Sequence, residues 1–164
     1  MTFLHTVRNY LLYCGVEKEE YRSLKKDAYI SNFKLWRILH CLIAFVFTFL
    51  FVASLLFDML AANLYFYLIG MIYAVAVTCL FFFVLKKDSI IAQLIIYLSI
   101  SWLFLFAALI AQNRPDTTAT TFFALIMLAP MFMIDKPYFM AIELTVASVI
   151  YLIWMHGVKS PEIW

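Results

Sequence analysis

Nineteen consecutive residues, Leu39 to Phe57 (LHCLIAFVFTFLFVASLLF), carry no acidic or basic charge and no proline, and Arg37 and Asp58 bound them. A bilayer core about 30 Å thick is crossed by roughly 20 apolar residues rising about 1.5 Å each. The stretch is long enough to span, and it is too apolar on every side for a surface helix of a soluble domain. Four more stretches of the same kind follow. A transmembrane barrel would instead show segments of roughly ten residues alternating apolar and polar. These runs are continuous, and only 3 Gly and 4 Pro are present to build loops, so the sequence predicts an all-α polytopic membrane bundle.

The spans read as 36–57, 62–85, 90–112, 118–134 and 138–157. The connections between them are short, which makes sequential helices antiparallel neighbours in an up-down bundle. Residues 1–34 form a juxtamembrane leader, 35–158 the five-span bundle and 159–164 an end piece on the opposite side. Within the leader, residues 1–14 have the spacing of a short amphipathic helix lying on the membrane, ended by Gly15. Glu17 to Tyr29 is rich in helix formers, and Ser31 and Asn32 offer a break before the first span. The abrupt end at SPEIW suggests a fragment of a longer, six-span protein.

Charge placement gives orientation. Arg8, Lys18, Arg22, Lys25, Lys26, Lys34 and Arg37 precede the first span, and Lys86, Lys87 and Lys136 fall in loops on the same side. Only Arg114 and Lys159 lie on the other. By the positive-inside rule the N-terminus is cytoplasmic. Tyr29, Trp36, Tyr138, Tyr151, Trp154 and Trp164 fall near span ends, where an aromatic belt is expected. The net charge of +2 includes no separate basic domain, so nucleic-acid binding has no support. The lipid bilayer is the expected partner. Cys14, Cys41 and Cys79 show no CxxC pair and no spacing for a zinc site, so no metal or cofactor is expected.

Ionisable groups inside a span are costly in hydrocarbon and are the default functional candidates. Glu143 lies six residues after Pro137, roughly 9 Å into the fifth span. His40 and Gln93 lie a short way into the first and third spans from the same side. A His40–Glu143 contact supported by Gln93 would satisfy all three, either as a structural clamp or as a ligand-binding switch. On the other side Asp58, Arg114, Asp116 and His156, with Asn63 and Asn113, are candidates to line an outer mouth. Asp116 followed by threonines equally reads as an ordinary helix start. Gly70 and Ala74 make a small-xxx-small pair that lets helices approach closely, as in a dimer. Phe81, Phe82 and Phe83 read as packing and lipid-facing residues. No catalytic dyad, phosphate loop or nucleophile elbow is present.

The leader NYLLYCGVEKEEYRSLKKDAYISNFK (Asn9 to Lys34), the spans, and MIDKPYFMAIELTV (Met133 to Val146) together resemble the N-terminal region of membrane-bound GGDEF proteins, the diguanylate cyclases of Clostridia-like bacteria. That group is similar in its NY-x-x-x-G-hydrophobic-x-KEEY leader and in a D-[RK]-P-aromatic turn, here Asp135, Lys136, Pro137 and Tyr138. The resemblance implies an input module in the bacterial cytoplasmic membrane, homodimeric, that responds to a small-molecule or membrane-borne signal. It would control a cytoplasmic domain making cyclic di-GMP. No Gly-Gly-acidic signature occurs in this sequence, so no catalytic residue carries over and the chain alone is not expected to be an enzyme. The alternatives are a small-molecule transporter or ligand-binding bundle, and a purely structural membrane subunit. A transporter would favour half-helices broken near the midplane; here Pro130 is the one proline within a span.

Overall fold

The computed structural model describes residue 7 and residues 18–113, 119–133 and 137–157. Every described element is helical: α1 (Lys18–Leu56), α2 (Asp58–Ala61), α3 (Leu64–Phe83), α4 (Ile90–Gln112), α5 (Thr120–Leu128) and α6 (Pro137–Met155), with a 3-10 turn (Ala129–Phe132) continuing α5. α1, α3, α4 and α6 are each long and apolar enough to cross a bilayer. This is a membrane protein.

α4 is the axis of the bundle, in contact with α1, α3, α5 and α6. Ala92, Ile96, Ser99, Ile100, Ala107 and Ala111 recur at helical spacing and are all buried. Its start is fixed by Ser89, whose side chain accepts from the Ile91 N–H at 3.1 Å. The expected span 90–112 coincides with the helix.

α1 packs along α3. Gly70 makes this possible, because a Cβ there would overlap the ring of Phe47, itself buried. Ala74, one turn on, is fully buried. The small-xxx-small pair therefore serves a contact within the chain. Phe47 also meets Phe106 of α4 edge to face, with ring centroids 4.6 Å apart.

Three expectations change. The break at Ser31–Asn32 does not occur, since α1 runs unbroken for 39 residues. Asn32 is held in helix by a tertiary partner, its Nδ2 donating to Gln93 Oε1 at 3.1 Å. Next, the fourth apolar stretch forms nine residues of α-helix and four of 3-10 helix, beginning at Ala129 with Pro130 near its start. At about 1.5 and 2.0 Å per residue that is roughly 22 Å, short of the ~30 Å core. Proline has no N–H to continue the α ladder. Finally, Trp36 and Tyr151 are core residues, only 1% and 4% exposed, and do not belong to an interfacial belt. Trp36 Nε1 donates to Phe132 O at 2.7 Å, and Tyr151 stacks on Phe122 at 4.0 Å.

The outer surface is apolar. Ile38, Leu42, Phe45, Phe49, Val52 and Leu56 form an exposed row along α1 at alternating spacings of four and three. Phe82 and Phe83 are exposed beside the buried Phe81, as expected of packing and lipid-facing residues. The amphipathic stretch 1–14, Gly15 and the end piece 159–164 lie outside the described residues, Val7 excepted.

Candidate functional site

The described basic residues gather at one end of the bundle. Lys26 of α1 lies 3.8 Å from Asp88 in the α3–α4 connection, and Arg37 sits over the Phe82 ring at 5.1 Å. At the other end Asn113 Nδ2 donates to Asn63 Oδ1 at 2.7 Å and to Ala62 O at 3.3 Å, tying α4 to the α2–α3 corner. Asn63 is buried there, while Asp58 and His156 are exposed. Arg114 and Asp116 lie outside the described residues. Of the described outer group, Asn63 and Asn113 form a tie, and Asp58 and His156 are exposed.

His40 and Glu143 do not meet; α4 stands between them. The buried His40 ring places Nδ1 2.8 Å from Trp36 O and Nε2 3.0 Å from Ser99 Oγ, and stacks on Phe81 at 4.8 Å. A carbonyl can only accept, so Nδ1 carries the proton toward Trp36 O, while Ser99 Oγ, which donates to Ile95 O at 2.8 Å, lies within hydrogen-bond distance of Nε2. Tyr73 OH lies 3.1 Å from the same serine oxygen. The result is a buried polar network joining α1, α3 and α4 through the Ser99 hydroxyl.

Gln93 joins a different pair. Besides accepting from Asn32, it donates from Nε2 to Tyr29 O at 3.1 Å. A backbone carbonyl of α1 is thereby fixed to α4 near the basic end. The expected three-residue cluster is instead three separate arrangements: His40 with Ser99, Gln93 with Asn32 and Tyr29, and Glu143 with Ser101. Sequence reasoning missed Ser99, Ser101 and Asn32. Serines two apart on an apolar helix were the available signal.

Glu143 faces a groove of about 610 Å³ between α4 and α6. Ser101 Oγ donates to Glu143 Oε1 at 2.8 Å, while Oε2 is buried without a hydrogen-bond partner among the described residues. Tyr97, Phe104, Phe139, Tyr151 and Trp154 supply aromatic walls, and Gln93 lies at one end. Tyr97 and Phe139 meet edge to face at 6.2 Å. The site therefore offers one carboxyl group in a largely apolar, ring-lined cleft. Its volume lies in the usual range for small-molecule pockets, roughly 300–1,000 Å³. No group of His, Cys, Asp and Glu among the described residues could hold a metal ion.

No protein-family model, no curated protein and no solved structure matches the chain.

Proposed function

We propose that the chain is a membrane-embedded input module that senses a signal in the bilayer and controls a cytoplasmic GGDEF output domain. The observation that carries the reading is α1, which joins the charged leader to the membrane bundle without a break. Thirty-nine residues at about 1.5 Å give a rod of roughly 58 Å, about twice what a bilayer requires. Such a rod moves as one body, so a shift in its packing within the membrane is felt at its far end. The leader and turn motifs supply the link to diguanylate cyclases.

In this reading the basic end of the bundle is cytoplasmic, following the positive-inside rule. The module works as a homodimer, with the exposed α1 row from Ile38 to Leu56 as the seam between copies. Its alternating spacing of four and three is that of helices pairing along a left-handed seam. Signalling requires two packings of the helices that differ by a few kcal/mol, with the signal binding one better.

The test is cyclic di-GMP measured in cells expressing the natural reading frame, extended past codon 164, with and without Glu143→Gln at matched expression. A further span and a GGDEF signature beyond Trp164, and an altered nucleotide level in the variant, are expected. A stop directly after Trp164 with unchanged cyclic di-GMP would sink the reading. A ligand-binding bundle with no output domain is the second reading, favoured by the same groove; it predicts ligand uptake into the groove without any nucleotide response.

A further inference from the structure

We propose that the α4–α6 groove binds a lipophilic amine, its ammonium paired with Glu143 and its hydrocarbon body against the apolar face of α6. The proposal rests on the input-module reading only in calling that amine the signal; the binding stands on the groove itself.

Charge complementarity selects the occupant. Among the described residues Glu143 is the one carboxylate in the lining, and none of the described lining residues is a lysine, arginine or histidine. One of its oxygens is already engaged by Ser101, and the other is buried with no donor among the described residues. A buried acceptor without a partner is unfavourable, and rotation of the carboxyl about its soft terminal torsion presents it to a ligand N–H in the groove. The faces of aromatic rings attract a cation, and Tyr97, Phe139 and Trp154 bring such rings to the same cleft. The remaining wall, with Ile142, Val146 and Ile150 of α6, is hydrocarbon. Gln93 does not compete for the role, since its amide is held by Asn32 and Tyr29. An alcohol of equal chain length would keep a hydrogen bond and lose the charge. A fatty acid would bring a second acidic group to Glu143 and no cation to pair with it.

The test uses the full chain in nanodiscs of phosphatidylcholine, which is zwitterionic and so takes up the amine and the alcohol through their tails without adding a net negative charge that favours the amine. A diazirine-bearing tetradecylamine is photolysed and the labelled peptides are mapped. Saturable labelling of peptides around Ser101 and Glu143 is expected. Tetradecylamine should compete at least about tenfold better than tetradecanol, the ratio a charge-assisted hydrogen bond gives. Tetradecanoate should not compete. Glu143→Gln should erase the preference for amine over alcohol. Ala147→Trp, which fills the groove and leaves Glu143 in place, should abolish labelling and keeps the test valid if the first variant fails to fold. Equal competition by tetradecanol in the unaltered chain, or labelling spread evenly along the exposed row of α1, would overturn the proposal. No output domain enters this assay, so its failure is distinct from failure of the cyclic di-GMP comparison.

Discussion

Ser99 and Ser101 are separated by one residue in sequence and by the width of α4 in space. Ser99 meets His40 of α1, and Ser101 meets Glu143 of α6. Two helical steps turn about 200°, which sends the two hydroxyls to opposite sides of the same rod. Their consequences for the protein differ accordingly.

Ser99→Ala removes the hydroxyl that both His40 Nε2 and Tyr73 OH contact. A buried polar group left without its partner costs about 1–3 kcal/mol. The expected outcome is a lower midpoint of thermal unfolding in detergent. Ser101→Ala, on an exposed position facing the groove, should leave that midpoint nearly unchanged. Equal losses in the two variants would contradict the separation of the two sites.

Gly70→Ala should destabilise the α1–α3 contact. The added methyl would overlap the Phe47 ring, which is itself hemmed in by Phe106. Overpacking of this kind costs roughly 1–3 kcal/mol. Phe47→Leu in the same chain should recover part of the loss, because it clears the space. Thermal unfolding of the single and double variants measures both effects.

Gln93→Leu removes the acceptor of Asn32 Nδ2 and the donor to Tyr29 O, so it should destabilise the unaltered chain more than it destabilises the Asn32→Leu variant. A double-mutant cycle on these residues should give a coupling energy of about 0.5–3 kcal/mol. Additive losses would show that the 3.1 Å contact contributes nothing to stability.

The orientation is checked by cysteine labelling in intact cells, with native cysteines replaced by alanine. A membrane-impermeant maleimide should reach Asp58→Cys from outside and Asp27→Cys only after permeabilisation. Both positions are exposed in the folded chain, so access depends on the side of the membrane alone. The reverse pattern would invert the placement of the basic end.

Much of this architecture can be read from hydrophobic run length. The third span is the clearest case, since Ser89 and Asn113 flank a continuous apolar run and the helix fills it. The run 118–134 misleads because length and composition do not register the turn at Pro130, where the backbone passes from α to 3-10. Asn32 misleads for another reason. An asparagine favours a helix break through local backbone bonds, and here a partner 61 residues away takes its amide instead.

The polar pairing was the least legible part. Depth along a span can be counted from the sequence, and on depth alone His40, Gln93 and Glu143 look like neighbours. Which of them meet depends on rotation about each helix axis, where one residue of slippage turns a side chain by about 100°. That angle is set by packing such as Phe47 on Gly70 and Trp36 on Phe132, contacts made between segments far apart in the chain.

A lever with its fulcrum inside the bilayer amplifies. In the proposed reading the arm is the part of α1 ahead of the tie at Tyr29, Lys18 to Ala28, about 16 Å long at 1.5 Å per residue. A tilt of about 10° in the membrane would sweep the tip of that arm through roughly 3 Å.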